Sequence, residues 1–278
     1  MKKKRITLII SIIILLTFNW LIIDNKNLVI KKYEIYSKKI EEDIVIVQIS
    51  DLHNTLFGKN QKNLISKIKE LNPNLITITG DFIDKRNPDI EISLDLIKGI
   101  SGLAPIYYVN GNHEYVVSSE YEKLKKELVK LNVNILENQT DEIVINNTNL
   151  TIVGINDPIF SNEVGIDDKF IVDNNLKKLN INKDNFTILL SHRPEVFDVY
   201  INNDINLTLT GHTHGGQIRI PFIGAIFAPH QGVFPKYSEG IFEKDNNYMI
   251  ISKGLGNSVV PIRINNRPEI VAVYLKND

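Results

Sequence analysis

Ile44-Val45-Ile46-Val47-Gln48-Ile49-Ser50-Asp51-Leu52-His53 is the stretch from which the fold can be read. A run this rich in β-branched residues predicts a strand buried on both faces. It stops on a carboxylate and an imidazole two positions apart. On an ideal strand such residues share a face, so Asp51 and His53 can grip one ion. The arrangement then returns along the chain. Leu75–Thr79 runs into Gly80-Asp81, Pro105–Val109 into Gly111-Asn112-His113-Glu114, Phe186–Leu190 into Ser191-His192, and Leu207–Leu209 into Gly211-His212-Thr213-His214. Five of the 6 histidines fall in these motifs. Histidine and carboxylate are the side chains that bind transition metals at neutral pH. In open α/β sheets, sites form beyond the carboxyl ends of the strands. Five strands delivering such residues to one edge therefore predict a metal site.

Helices are expected between the early strands. Asn60–Leu71, Ile90–Ile100 and Glu120–Leu131 place their apolar residues at helical spacing. From about Asn134 the pattern shifts to short strands separated by Asn/Asp turns: Ile143–Ile145, Leu150–Gly154, Tyr248–Ile251 and Ile270–Leu275. The first half reads βαβαβα and the second is mostly β. No repeat or low-complexity linker divides them, and the metal motifs span both. The expected fold is α/β: a two-sheet β-sandwich flanked by helices, formed by residues 28–278 as one domain.

Composition narrows the chemistry. The chain has 278 residues, 43% of them hydrophobic, which allows one large core. A formal net charge of -1 argues against a strongly basic nucleic-acid surface. Cysteine is absent, which excludes disulfides, thiolate metal sites and cysteine nucleophiles.

Residues 1–27 form a separate unit. Lys2, Lys3, Lys4 and Arg5 precede an apolar run from Ile6 to Ile23, broken only by Thr7, Ser11, Thr17 and Asn19. That length reaches the lower limit of a membrane-spanning helix, and Trp20 suits an interfacial aromatic anchor. A cleaved signal peptide competes with this reading, but the run is long for one and no small-x-small cleavage site follows. The expectation is a single-pass anchor with its basic end inside and the remainder extracytoplasmic. Lys26, Lys31, Lys32, Lys38 and Lys39 weigh against that orientation without reversing it.

Each motif also has a plainer reading. Asp81 follows a buried strand, where a carboxylate needs a cation or a donor, yet a turn or helix cap would suit it as well. Asp84 is either an orienting neighbour of the ligands or a solvated loop acid. Asn112 supplies a neutral oxygen to a site rich in anions. His113 can stand beside the ions without binding one, as the proton donor that phosphate ester cleavage requires. Glu114 either orients His113 or faces solvent. His230 reads as an ordinary loop histidine. Arg193, Arg263 and Arg267 are candidate phosphate contacts, while Arg219 reads as surface charge.

Taken together, D-x-H, G-D, G-N-H-E, H and G-H-x-H appear complete and in order, and in this the chain resembles the calcineurin-like metallophosphoesterase superfamily. Ser191-His192-Arg193-Pro194, Gly211-His212-Thr213-His214-Gly215-Gly216-Gln217 and Gly254-Leu255-Gly256-Asn257-Ser258 look like its membrane-anchored or exported bacterial branch. So do Arg263 and Asn266-Arg267-Pro268. The resemblance implies two divalent metal ions, Mn, Fe or Zn. Asp51, His53 and His214 would hold one and Asn112, His192 and His212 the other, with Asp81 bridging. A hydroxide activated between the ions would attack phosphorus, and His113 would protonate the leaving group.

The function so implied is hydrolysis of phosphate esters, foremost phosphodiesters, with lipid-linked or envelope-derived substrates suggested by the anchor. A phosphomonoesterase or pyrophosphatase, including one acting on substrates like UDP-2,3-diacylglucosamine, is the runner-up. A non-catalytic scaffold is disfavoured because no ligand position is substituted.

Overall fold

The computed structural model describes residues 2–258 and 261–278. Two six-stranded sheets pack face to face, with helices on both outer surfaces. The first sheet has the order β1 (Val29–Tyr36), β16 (Glu269–Lys276), β2 (Ile44–Ile49), β3 (Leu75–Thr79), β4 (Ile106–Val109), β5 (Val133–Ile135). Its strands β2 to β5 are mutually parallel. The second has the order β14 (Gly240–Lys244), β15 (Asn247–Ile251), β9 (Leu207–Thr210), β8 (Phe186–Leu190), β7 (Thr148–Gly154), β6 (Gln139–Ile145). There β15, β9, β8 and β7 run parallel, between antiparallel strands at both edges.

Strand periodicity sorts the side chains into three cores. Ile44, Ile46, Tyr107, Val109, Ile188, Leu190, Leu207 and Leu209 interdigitate between the sheets. On the opposite face of the first sheet, Val47, Ile49, Ile76 and Ile78 pack against α2 (Lys62–Glu70), α3 (Ile90–Ile100) and α5 (Ser118–Lys130) through Leu64, Ile68, Leu94, Ile97, Leu124 and Leu128. On the outer face of the second, Val153, Leu189 and Ile251 meet Val172, Leu176, Phe197 and Tyr200 of α6 (Asp168–Lys177) and α7 (Phe197–Asn202). Being covered on both faces, the central strands are continuous apolar runs in the sequence.

One polar residue interrupts the inter-sheet core where it approaches the motifs. Gln48 is buried and donates to Thr79 Oγ1 at 2.9 Å and, across the sandwich, to the Thr210 carbonyl at 2.8 Å. Both sheets are thereby tied together at the carboxyl ends of β2, β3 and β9.

Helix boundaries follow local chemistry. α3 begins where Asp89 caps it by accepting from the Glu91 N–H. The expected helix at Asn60–Leu71 starts later, at Lys62, because Asn60 and Gln61 take left-handed φ of 51° and 59°. The Gln61 side chain closes that turn by accepting from Phe57 N–H and donating to the Thr55 carbonyl.

At the N-terminus, α1 covers Lys2–Lys26. Among the described residues no helix is long and apolar enough to cross a membrane. Trp20, read above as an interfacial anchor, has a side chain outside those described. The last turn of α1 is bound to the rest of the chain. Asn25 donates to the Arg263 carbonyl at 2.8 Å and accepts the Arg263 N–H at 2.7 Å, and Asp24 pairs with Arg267.

Candidate metal centre

The motif residues converge where the carboxyl ends of β2, β3, β4, β8 and β9 meet. Short turns place them there. Asp51, His53, Asp81, His212 and His214 all have left-handed φ, between 44° and 69°, a conformation that costs non-glycine residues energy and clusters at functional sites. Gly111 allows the loops to touch: a Cβ there would lie 2.4 Å from Asp81 Oδ1.

Two ligand clusters share Asp81. Ligand atoms of Asp51, His53, Asp81 and His214 all lie within 4.8 Å of one another, as do those of Asp81, His192 and His212. Asp81 Oδ2 is 3.4 Å from His53 Nε2 and 3.3 Å from His192 Nε2. His53 Nε2 and His214 Nε2 are 3.1 Å apart, and His212 Nδ1 and His192 Nε2 are also 3.1 Å apart.

Neighbours orient several of these rings. His192 Nδ1 lies 2.9 Å from the Thr79 carbonyl and His214 Nδ1 3.2 Å from the Gly256 carbonyl. A carbonyl only accepts, so each Nδ1 bears a hydrogen and each Nε2 faces inward. Asp51 accepts from Ser50 Oγ at 2.5 Å and from His212 N–H at 3.1 and 3.2 Å. Asn112 contributes a further sign. Its Oδ1 is buried with no hydrogen-bond partner among the described residues, as expected of an oxygen reserved for a cation.

Electrostatics suit the same purpose. Burial pushes His53 down to about 3 and holds His212 and His214 well below the usual histidine range, so their lone pairs are free at neutral pH. Burial raises Asp51 to about 7. For Asp81, the charge and hydrogen bond of His192 prevail over burial and hold the carboxyl well below its usual range. His192 is raised correspondingly, to about 10, because Asp81 outweighs its own burial. The residues present therefore fit two divalent cations, with oxygen and imidazole donors that suit Mn, Fe and Zn alike.

The calcineurin-like phosphoesterase pattern matches residues 44–216, more than half of the chain. The chain belongs to that family. It is accordingly a phosphoric ester hydrolase, with a cluster of His and Asp residues able to bind metal ions. It is similar to the uncharacterized metallophosphoesterase YkuE of Bacillus subtilis, 29% identical over 241 residues that span 84% of this chain and 79% of that one. It is also similar to the phosphodiesterase YaeI of Escherichia coli, 27% identical over 241 residues, 83% of this chain and 81% of that one. Among solved structures, the fold matches TT1561 of Thermus thermophilus with a TM-score of 0.52 at 11% identity, covering 76% of this chain and 90% of that one.

His113 lies beside the clusters, its Nε2 3.9 Å from Asp81 Oδ2 and its ring in edge contact with His53. Asp84 Oδ2 is 3.7 Å from His53 Nδ1 and 2.7 Å from Arg86 Nη2. The expected phosphate contacts all have partners within the chain, although Arg263 Nη1 is buried with no hydrogen-bond partner among the described residues. Arg193 is buried and held by Asp157 through Nε and Nη2 at 2.5 and 2.8 Å. Arg263 donates to the Gly256 carbonyl, with Nη2 3.2 Å from His214 Nδ1. Arg267 pairs with Asp24. Arg219 pairs with Glu239.

Glu114 neither orients His113 nor faces solvent. It is buried and accepts four backbone N–H groups, from Gly111, Asp81, Phe82 and Ile83, at 2.7–3.2 Å. It thus sews the Asp81 loop to the Asn112 loop. The sequence reading missed Asp157 and Ser50 altogether, since an isolated acid or serine carries no local signal. His230 stands closer to the centre than expected, 2.6 Å from Arg193 Nη1 and with its ring 5.1 Å from that of His212.

Proposed function

We propose that this chain hydrolyses phosphodiesters at a dinuclear centre held by Asp51, His53, Asp81, Asn112, His192, His212 and His214. The observation that carries the reading is the position of Asp81 Oδ2, near-equidistant from His53 Nε2 and His192 Nε2 at 3.4 and 3.3 Å. One carboxylate serving two clusters is the arrangement a bridging ligand requires. The diester preference is supported by similarity to a relative named a phosphodiesterase.

Bound there, two divalent cations supply Lewis acidity to phosphoryl oxygens and lower the pKa of water. The chain's own residues supply a hydrogen-bond donor for the leaving oxygen. The Lys85 N–H donates to His113 Nδ1 at 3.2 Å, so Nε2 carries the hydrogen and faces the centre. There it can hydrogen-bond the leaving oxygen as negative charge develops on it.

The same proposal holds the chain at the cell membrane by its basic and apolar N-terminal segment, with the catalytic domain extracytoplasmic. Support comes from the cluster at residues 2–5 and the apolar run at 6–23, and from the exposure of Ile6, Ile9, Ile10, Leu15, Leu16 and Ile23 along the helix.

The test is turnover by the full chain, loaded with Mn, of bis-p-nitrophenyl phosphate against p-nitrophenyl phosphate, beside Asp81→Asn. Diester turnover that collapses in the variant together with metal content supports the proposal. Preference for the monoester would replace it with a phosphomonoesterase, and a chain that binds no metal would end it.

A further inference from the structure

Beyond the metal ligands the chain forms two short hairpins, β10 (Arg219–Ile220) with β11 (Gly224–Ala225), and β12 (Phe227–Ala228) with β13 (Gly232–Val233). Beside them lies an apolar cleft of about 310 Å³, walled by Ile218, Ile226, Phe227 and Pro229. His214 lines the same cleft, so its inner end abuts the metal centre. A volume of roughly 300 Å³ is where small-molecule pockets begin.

The hairpins also carry an apolar surface. Phe222, Ile223, Phe227, Val233 and Phe234 are each more than half exposed, and clustered exposure of this kind marks a binding surface. One short segment links the cleft wall to the end of the N-terminal helix. Asn25 hydrogen-bonds both backbone groups of Arg263, and Ile264 bridges to Ile218 in the cleft wall. An apolar helix, an apolar rim and an apolar cleft thus border a site built for a charged phosphate.

We infer that the cleft takes the alkyl chain of a lipid phosphoester, one end of which presents its phosphate to the metal centre. The inference rests on the phosphodiesterase reading and specifies its substrate class. A polar leaving or retained group would gain nothing from these walls, whereas each methylene buried in them is worth roughly fourfold in binding. The exposed rim gives that chain a path from a lipid surface, so that it need not cross water.

The experiment compares kcat/KM of the Mn-loaded full chain, in lipid nanodiscs, on methyl and octyl p-nitrophenyl phosphate. It does so beside Ile226→Asn and Phe227→Ser; the latter changes an exposed side chain and spares the core. The expected result is an octyl-to-methyl ratio of at least tenfold in the wild type, reduced at least threefold in both variants. A ratio near one overturns the inference while leaving the phosphodiesterase reading intact. So does a high ratio that neither variant changes, since the chain would then be bound elsewhere. A dimer that Phe227→Ser dissolves would assign the cleft to a second copy. No turnover of either ester would overturn the parent reading and this inference with it.

Discussion

The backbone N–H of Lys85 donates to His113 Nδ1 at 3.2 Å, and this contact sets which nitrogen of His113 holds its proton. Burial lowers the pKa of His113, so the neutral ring dominates at neutral pH and Nε2–H is its single donor. His113→Ala should reduce kcat on a dialkyl phosphate by roughly 10²–10³-fold, the usual range for a lost donor to a developing oxyanion. The loss should be much smaller with p-nitrophenolate leaving, because that group departs without a proton. Equal losses on both leaving groups would show that His113 does not hydrogen-bond the leaving oxygen.

Glu114 binds four backbone N–H groups from two loops. Removing a buried acceptor strands its donors at about 1–3 kcal/mol each. Glu114→Ala should therefore cost about 3 kcal/mol or more in urea unfolding of the apo-protein, and weaken metal retention, since the stranded loops carry Asp81 and Asn112. Glu114→Gln, which keeps one carbonyl oxygen, should fall between. A wild-type urea midpoint in the alanine variant would show that the four bonds hold nothing.

Metal uptake should release protons. Without metal, Asp51 titrates near 7 through burial and His192 is held protonated by Asp81. Each must give up its proton before it can ligate. Since these protons are bound at low pH, apparent affinity should fall as pH falls through 7, by up to tenfold per unit per proton. Calorimetric titration with Mn between pH 6 and 8, in two buffers of different ionisation enthalpy, counts the protons directly. An affinity flat across this window would contradict the assignment of these two residues as ligands.

Arg193 and Asp157 form a buried, two-point ion pair. Breaking such a pair from one side typically costs about 3–5 kcal/mol. Asp157→Asn should lose stability on that scale, and Arg193→Lys should not restore the pair because an ammonium cannot match the planar fork. In Arg193→Lys, thermal unfolding should move more than KM for a diester does. A large KM increase at unchanged melting temperature would return Arg193 to the role of phosphate contact.

Much of this protein was legible in one dimension. The central strands are apolar on both faces because both are covered, so their runs stand out. α3 appears where the spacing of Leu94, Ile97 and Ile100 places it. The ligand residues could be named because each follows its strand directly in the chain. Elements with little periodicity escaped notice: α4 (Asn112–Val116), α6 and α7, whose lengths are 5, 10 and 6 residues, and the two-residue strands β10 to β13.

What local pattern determined, then, was the strand set and the identity of the residues that end each strand, since both depend on neighbours a few positions away. Tertiary structure decided which atoms of those residues face inward, because ring orientation is set by carbonyls such as Thr79 and Gly256 on other segments. It also decided the partners of the arginines. A guanidinium looks the same in sequence whether it awaits phosphate or is held by an acid 36 positions away, as Arg193 is by Asp157, or 243 away, as Arg267 is by Asp24. The cleft beside His214 belongs to the same class, because Ile218, Ile226, Phe227 and Pro229 become one surface only in the folded chain.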